Sequence, residues 1–274
     1  MARGFHESSI VDRGAEIAAD VEIGPFCRVH AGARIGAGTR LLSHVVVAGN
    51  TTIGAANVLH PFTVIGGDAQ VRKGQGSDGT RHGLEIGDRN VFRESVTVNT
   101  SSGEGATRIG SDNLFMAGCH VAHDVVVGSR CVIANGVQLA GHVAIDDWVT
   151  FGGLAGVAQH LRVGQGAFVA AGAMCERDVP PFVIAQGDRA RVRALNVVGL
   201  ERRGVPAASV AALRRAFAAL WKTAGRSGES GSFDDALREL DRSDPWVRLL
   251  AAWLEDPVRR VRASRRGAGA TSSD

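Results

Sequence analysis

The stretch IGSDNLFMAGCHVAHDVVVGSRCVIANGVQLAGHVAI, residues 109–145, decides the fold of this chain. An aliphatic or aromatic residue stands at every sixth position of it, and the same spacing continues to Cys175. The step also runs without a polar residue from Val11 to Ile65 and returns from Ile86 to Val98. A period of six matches neither the 3.6-residue period of a helix nor the two-residue alternation of a simple strand.

The six-residue period fits a short strand followed by a corner, with one apolar side chain per strand pointing inward. Three such sides close a triangular coil of 18 residues, and successive coils stack at the strand spacing of about 4.8 Å. Glycine often follows the inward residue, as at Gly110 and Gly128. We expect it there because corners need permissive backbone dihedrals. The period therefore predicts a β fold, a parallel β-helix.

Two stretches interrupt the period, and both are predicted to be loops. Residues 66–84 are rich in Gly, Asp, Gln and Arg, and residues 99–108 read NTSSGEGATR. Repeat proteins place such insertions on one face, which is often the binding face. The alternative is that both loops are inert excursions on the surface.

Beyond Pro180 and Pro181 the period stops and the composition changes. Helices are predicted at residues 205–221, 232–240 and 245–254, with Ser232 and Ser243 or Asp244 available as caps. The chain then divides into a β-helix domain at residues 1–185, an α-helical domain at 186–256 and a disordered basic tail at 257–274.

Composition narrows the classes of function. The 274 residues are 45% hydrophobic and 5% aromatic, with no Tyr, which suits one or two globular domains with an aliphatic core. Four cysteines without a CxxC spacing do not form a disulfide framework. No segment has the roughly 18 apolar residues of a membrane span, and we expect a cytoplasmic protein.

Charge is uneven along the chain. Residues 1–185 hold 14 Lys and Arg against 17 Asp and Glu, whereas residues 186–274 hold 17 against 11. The total of +3 is too small to indicate nucleic-acid binding. A basic C-terminal part suits an acidic partner or a phosphate, although a solvated Arg-rich surface has the same pattern.

The 18-residue coil can be used as a ruler, because residues 18 apart lie one above the other. From His123 the column continues through Gly141 to Gln159, and from Asp124 it continues through His142 to His160. An imidazole beside a carboxylate and a glycine N–H can act as a general base next to an oxyanion-stabilising donor. Attack of a hydroxyl on an acyl group requires such a pair.

Other interpretations of these residues remain open. The chain has no GxSxG elbow and no Cys on the two columns, so an acyl-enzyme has little support. Polar residues at outward repeat positions can also cluster by accident. The histidines 120, 123, 142 and 160 could supply imidazoles to zinc, but the HxxHD spacing is weak support for a zinc site.

Several segments of the chain carry a further signal: Glu85-Ile86-Gly87-Asp88-Arg89-Asn90, His120-Val121-Ala122-His123-Asp124, Leu139-Ala140-Gly141-His142-Val143, Ile184-Ala185-Gln186-Gly187 and Gly199-Leu200-Glu201-Arg202-Arg203-Gly204. With these segments the sequence resembles a known family, the UDP-N-acetylglucosamine O-acyltransferases of lipid A biosynthesis, over about residues 5–255. The resemblance implies that the β-helix is left-handed.

The resemblance further implies transfer of a 3-hydroxyacyl chain from acyl carrier protein to the 3-hydroxyl of UDP-N-acetylglucosamine. It implies a homotrimer with sites between neighbouring subunits, and neither a metal nor a cofactor. His123 would be the general base, Asp124 would orient it, and the Gly141 N–H would stabilise the oxyanion. Matching positions place substrate contacts at His120, His142, Gln159, Gln70, Lys73, Asn196, Arg202 and Arg203. Ala171 and Met174 would limit the length of the acyl chain.

Several residues depart from the family pattern. Asn99-Thr100-Ser101-Ser102 stands where the family has His-Arg-Gly-Thr, and Val71, Ala158 and Val198 replace an Asp, a His and a Glu. These changes motivate a rival acceptor, such as a nucleotide sugar with a 3-amino group. A zinc-dependent lyase or hydrolase and a catalytically silent paralogue are the alternatives from other classes.

Overall fold

The computed structural model describes residues 4–72, 83–223 and 233–256. Within these ranges the chain forms a left-handed parallel β-helix followed by a small helical part, which confirms the predicted fold class. The predicted tail at 257–274 lies outside the described residues. The division into domains at residue 185 stays a prediction.

The strands, most of them two residues long, form three sheets that the chain visits in turn. Sheet A comprises Gly4–Phe5, Glu22–Ile23, Arg40–Leu41, Val58–Leu59, Val91–Phe92, Leu114–Phe115, Val132–Ile133, Thr150–Phe151, Phe168–Val169, Val183–Gln186 and the antiparallel strand Arg191–Leu195. Sheet B comprises Ile10–Val11, Arg28–Val29, Val46–Val47, Val64–Gly67, Thr97–Asn99, His120–Val121, Gln138–Leu139, Gly156–Val157 and Met174–Cys175. Sheet C comprises Glu16–Ile17, Arg34–Ile35, Thr51–Ile53, Gly83–Ile86, Ala106–Ile109, Val126–Val127, Ala144–Ile145 and Arg162–Val163.

Strand register confirms the predicted coil. Val121 pairs with Leu139, and Leu139 pairs with Val157, so successive inward residues stack directly. Both insertions leave where the chain passes from sheet B to sheet C, an edge we call the B–C corner. The second insertion lengthens its coil, and Thr97 therefore pairs with His120, 23 residues further on.

The corners use glycine differently from the prediction. Asp124, His142 and His160 carry the left-handed backbone, with φ of 60°, 60° and 64°. Gly110 and Gly128 lie outside that region, and a Cβ on Gly110 would stand 2.6 Å from the carbonyl oxygen of Gly128. The expectation that these two glycines supply dihedral freedom is wrong. Glycine is needed there because backbones of stacked coils approach too closely for a side chain.

A ladder of buried asparagines stabilises a second edge of the coil, the C–A corner, where the chain passes from sheet C to sheet A. Asn57 Oδ1 accepts the N–H of Asn90 at 2.8 Å, and Asn90 Oδ1 accepts the N–H of Asn113 at 2.9 Å. The side-chain amide of Asn90 also donates to the Gly110 carbonyl at 3.0 Å. The ladder satisfies backbone groups that the corner would otherwise leave unpaired in the core.

In the described part of the chain, four α-helices follow the coils: α1 (Val197–Arg202), α2 (Ala207–Phe217), α3 (Phe233–Arg238) and α4 (Pro245–Glu255), and a π-helical turn, Ala218–Thr223, continues α2. Asp244 caps α4 by accepting the N–H groups of Trp246 and Val247, so Asp244 rather than Ser243 is the cap. Ser232 lies outside the described residues.

Three elements at the end of the coil were not predicted: the strands Val183–Gln186 and Arg191–Leu195, and α1. Each is short, and each depends on packing against the last coil rather than on a local pattern. Among the described residues, no helix is long and apolar enough to cross a membrane.

Candidate active site

His123 and Asp124 lie at the B–C corner, directly after the strand His120–Val121. Asp124 adopts φ of 60°, which Asp tolerates better than most residues. Its N–H donates to Thr107 Oγ1 at 2.8 Å, which fixes the corner to the neighbouring coil. The fold therefore presents both side chains together at one edge.

The two side chains form a hydrogen-bonded pair. His123 Nδ1 lies 2.8 Å from Asp124 Oδ2, and the side chains are only 15% and 16% exposed. Because a carboxylate only accepts, Nδ1 carries the shared proton and Nε2 is left as the basic nitrogen. Burial alone would raise the pKa of Asp124, but hydrogen bonds from Ser101, Ser102 and His123 outweigh it and hold that pKa below its ordinary value.

Gly141 lies against the His123 ring, one coil further on. A Cβ at position 141 would stand 2.6 Å from His123 Cε1 and 2.8 Å from Nε2. Glycine is therefore required at position 141 because a side chain has no space there. Its backbone conformation does not require glycine, because it is outside the left-handed region. The Gly141 N–H donates to no acceptor among the described residues, so the residue that packs against the His123 ring keeps an unused donor.

The column above Asp124 is populated as the ruler predicted. His142 Nε2 lies 3.6 Å from Asp124 Oδ2, and the rings of His123 and His142 meet edge to face at 5.2 Å. His160 stacks on His142 with ring centroids 4.5 Å apart. Three imidazoles and one carboxylate therefore form a continuous cluster along the corner.

His120 borders this cluster on the outer face of sheet B. A hydrogen bond of 2.7 Å joins its Nδ1 to Thr97 Oγ1. Burial, together with the nearby His123, lowers the pKa of His120. His120 is therefore neutral at physiological pH, with one ring nitrogen engaged by Thr97.

The remaining predicted substrate contacts are not all in this cluster. Gln159 is exposed one coil beyond Gly141, and Gln70 is exposed in the first insertion. Lys73 lies outside the described residues. Asn196 caps α1 and donates to the Gly166 carbonyl at 3.0 Å, which places it at the C–A corner, and Arg202 is exposed at the end of α1.

Arg203 lies between aromatic rings rather than free on the surface. Its guanidinium carbon is 5.2 Å from the Trp148 ring, 6.0 Å from Phe182 and 5.3 Å from Trp246. Burial lowers the pKa of Arg203, and the charge of Asp147 opposes this effect. Arg203 joins the C–A corner to α4, on a different edge of the coil from His123.

Sequence reasoning missed three residues that hold Asp124: Thr107, Ser101 and Ser102. The hydroxyl of Ser101 donates to Asp124 Oδ1, and the hydroxyl of Ser102 donates to Oδ2 at 2.6 Å. The 18-residue ruler could not find Ser101 and Ser102, because the insertion changes the offset to 23 residues at this coil, whereas Thr107 lies after the insertion, where the offset is again 18. Adding the five extra residues to the ruler would have placed Ser101 beside Asp124.

The positions that depart from the family pattern have different surroundings. Asn99 is buried, its amide nitrogen donates to the Asp68 carbonyl at 2.9 Å, and its Oδ1 has no partner among the described residues. Val198 is exposed on α1, whereas Ala158 packs against the core. Val71 is partly exposed in the first insertion.

Nitrogen and oxygen atoms of His123, Asp124 and His142 lie within 4.8 Å of one another, which is close enough to surround a metal ion. The oxygens of Asp124, however, already accept four hydrogen bonds, from the hydroxyls of Ser101 and Ser102, from the Ser102 N–H and from His123. A carboxylate offers about four lone-pair positions. A metal ion could bind this carboxylate only by displacing hydrogen bonds that the fold has built.

Comparisons with known proteins agree with this geometry. Residues 178–267 match the family described as UDP N-acetylglucosamine O-acyltransferase, domain 2, and residues 106–141 match the bacterial transferase hexapeptide repeats. The chain is 35% identical to LpxA from Acinetobacter baumannii, over 92% of this chain and 96% of that one, with a TM-score of 0.84.

Two further solved structures give the same result. The UDP-N-acetylglucosamine O-acyltransferase (LpxA) from Moraxella catarrhalis is 36% identical over 90% of this chain and 95% of its own, with a TM-score of 0.83. The Arabidopsis UDP-N-acetylglucosamine acyltransferase is 30% identical over 92% and 98%, with a TM-score of 0.81. With such identity across nearly the whole length, this chain belongs to the UDP-N-acetylglucosamine O-acyltransferase family.

Proposed function

We propose that this enzyme transfers a 3-hydroxyacyl chain from acyl carrier protein to the 3-hydroxyl of UDP-N-acetylglucosamine, the first step of lipid A biosynthesis. One observation carries the proposal: the His123–Asp124 pair packs against Gly141, where a Cβ would stand 2.8 Å from His123 Nε2, and the Gly141 N–H has no acceptor among the described residues. A base and an oxyanion donor are the two groups that direct acyl transfer to a hydroxyl requires.

The step is a direct displacement. The sugar 3-hydroxyl attacks the thioester carbonyl while His123 Nε2 takes its proton. The Gly141 N–H donates to the oxyanion that forms. The carbon–sulfur bond then breaks, and His123 returns the proton to the departing thiolate of the carrier. Asp124 keeps the ring in place and stabilises the imidazolium between the two transfers.

Substrate contacts are proposed for His120, His142 and Gln159 around the pair, and for Gln70 and Lys73 in the first insertion. Asn196, Arg202 and Arg203 would contact the nucleotide phosphates or the carrier's pantetheine arm. The last three lie at the C–A corner or on the adjoining α1, whereas His123 lies at the B–C corner. Residues on two different edges of the coil can contact the same ligand only when two copies of the chain meet. This arrangement supports a homotrimer with sites between subunits.

The outer faces of the sheets favour the same assembly. Sheet C carries charged outward residues in ion pairs, such as Glu16 with Arg34 and Glu85 with Arg108. Sheet A has one such pair on its first strands, Glu22 with Arg40, but from Val58 on it presents a column of partly exposed residues that are apolar except for Thr150: Val58, Val91, Leu114, Val132 and Phe168. An apolar outer face is more stable against another subunit than against water, whereas a charged one suits solvent.

Acyl-chain length is proposed to be set at the end of a column on sheet B. The outward positions there run from His120 through Gln138 and Gly156 to Met174, about 14 Å at the usual strand spacing. The Met174 sulfur lies 2.8 Å from where a Cβ on Gly156 would be. Met174, with Ala171 at the neighbouring corner, would therefore close the groove to longer chains.

Mass spectrometry of the products tests the proposal. The purified protein would receive UDP-N-acetylglucosamine and a mixture of 3-hydroxyacyl carrier proteins, with His123→Ala and His30→Ala run alongside. His30 is a matched control, because it stands at the same corner and contacts a carboxylate, Asp12, at 3.5 Å. A single acylated product that is lost in His123→Ala and kept in His30→Ala is expected.

A second acceptor should be included, because Asn99 Oδ1 is buried without a partner among the described residues, at a position where the family has a histidine. The UDP sugar with a 3-amino group would yield an amide by the same proton transfers. If the protein prefers the 3-amino sugar, that sugar replaces UDP-N-acetylglucosamine as the proposed acceptor, and the mechanism is unchanged. Turnover of neither sugar by folded protein would contradict acyl transfer and favour the silent paralogue.

A further inference from the structure

The second insertion begins beside the candidate base, and its first residues are firmly anchored. The Thr100 N–H donates to the Gly67 carbonyl at 2.8 Å, and the Ser101 N–H donates to the Gly83 carbonyl at 3.2 Å. Ser101 is 3% exposed. The start of this insertion is therefore part of the coil stack rather than a free loop.

Ser101 and Ser102 direct three donors at a single carboxylate. The Ser101 hydroxyl donates to Asp124 Oδ1, the Ser102 hydroxyl donates to Oδ2 at 2.6 Å, and the Ser102 N–H lies 3.2 Å from Oδ2. A hydroxyl has one proton, and the Gly103 carbonyl is a second acceptor for Ser101 at 3.0 Å. The Ser101 hydroxyl therefore donates to the charged and closer oxygen of Asp124, because hydrogen bonds to ionised acceptors are stronger.

These contacts set two properties of Asp124. Donors on both oxygens fix the plane of the carboxylate, so that Oδ2 stays 2.8 Å from His123 Nδ1. The same donors take up part of the negative charge. Asp124 therefore remains ionised although it is largely buried, and it attracts the His123 proton less strongly than a bare carboxylate would.

We propose that Ser101 and Ser102 are positioning residues, a two-hydroxyl clamp that holds Asp124 in the orientation and charge state in which His123 works as a general base. This inference rests on the proposed function. Ser101 stands where the family pattern has Gly, so one of the two hydroxyls is a feature of this chain. The clamp acts through Asp124 and does not touch substrate.

The test compares Ser101→Ala, Ser101→Gly, Ser102→Ala and Ser102→Thr with wild type. We expect kcat/KM to fall about tenfold in each variant that loses a hydroxyl, a fraction of the 10²–10⁴ typical of general-base catalysis. The acidic limb of the pH profile of kcat/KM should move up by about half a unit, because a less solvated carboxylate holds the proton on the base more tightly. Ser102→Thr keeps its hydroxyl and should remain close to wild type.

Two controls separate positioning from folding. Ser129→Ala removes a hydroxyl that accepts the Ser111 N–H at 3.0 Å at the C–A corner, and it should change neither the rate nor the profile. In an Asp124→Asn background, Ser101→Ala and Ser102→Ala should have no further effect on kcat/KM. Unshifted profiles in folded variants, or losses of full size in the Asp124→Asn background, would overturn the clamp.

A measurement that does not depend on turnover tests the clamp separately from the proposed reaction. The carboxyl ¹³C signal of Asp124 should titrate below the ordinary Asp value of about 3.9 in wild type. Its midpoint should rise in Ser101→Ala and in Ser102→Ala. A wild type that transfers no acyl group but shows these shifts would reject the proposed function and keep the clamp, whereas an unmoved midpoint would reject the clamp itself.

Discussion

Gly141→Ala is the substitution whose effect the geometry predicts most directly. The new methyl carbon would stand 2.6 Å from His123 Cε1, 2.8 Å from Nε2 and 3.2 Å from Nδ1. Carbon atoms in contact prefer about 3.5–4.0 Å, so the ring must retreat by about 1 Å. That movement stretches the 2.8 Å hydrogen bond to Asp124 and shifts the basic nitrogen away from the attacking hydroxyl.

A misplacement of about 1 Å at a reacting group costs about 10²-fold in rate. We therefore expect kcat/KM of Gly141→Ala to fall by about that factor, with the oxyanion donor still present because the backbone N–H is unchanged. Gly141 is not in the left-handed region, so the methyl brings no backbone strain. The free energy of unfolding should stay within about 1 kcal/mol of wild type.

The assay is product formation followed by mass spectrometry, with unfolding in denaturant measured on the same samples. Gly4→Ala is the matched control, because a methyl there meets nothing closer than 3.7 Å. In a His123→Ala background, Gly141→Ala should have no further effect, since the ring it displaces is gone. Wild-type activity in the single variant, or an undiminished loss in the double variant, would refute the reasoning.

Three further predictions concern stability and reactivity. Asn90→Ala leaves the Asn113 N–H and the Gly110 carbonyl unpaired, so denaturant unfolding should show a loss of about 2–5 kcal/mol. Thr107→Val orphans the Asp124 N–H and should cost about 1–3 kcal/mol in the same experiment, whereas Thr107→Ser should cost less. All four cysteines are buried, and burial raises the pKa of Cys131 to about 12. Thiol reagents at about pH 8, below the ordinary Cys pKa, should therefore label none of them until the protein is denatured. Rapid labelling of the native protein would contradict this burial.

The cluster around His123 was partly predictable because the coil is a regular object. Wherever no insertion intervenes, the covalent chain itself sets the vertical neighbours. His142 over Asp124 and Gly141 over His123 follow from counting 18 residues. The role of glycine was misread at the coil corners, because close approach between coils is a distance in space and not a property of one residue.

Arg203 illustrates the opposite case. Its sequence neighbours indicate an exposed basic pair. Trp148 and Trp246, which surround it, come from a coil far away in the sequence and from α4. No period connects those three positions. Only the docking of the helical part onto the last coils decided that this guanidinium lies between aromatic rings.

By itself, the sequence determined the β-helix, the edge from which both insertions leave and the stacking of His123, Asp124, Gly141 and His142. A strict period determines such features because each coil repeats the register of the coil before it. The tertiary structure alone decided that Ser101 and Ser102 hold Asp124, since the insertion shifts the register and its hydroxyls take their partners from a later coil. A count corrected for the five extra residues brings Ser101 next to Asp124, but which way the two hydroxyls point depends on how the inserted backbone folds back in three dimensions.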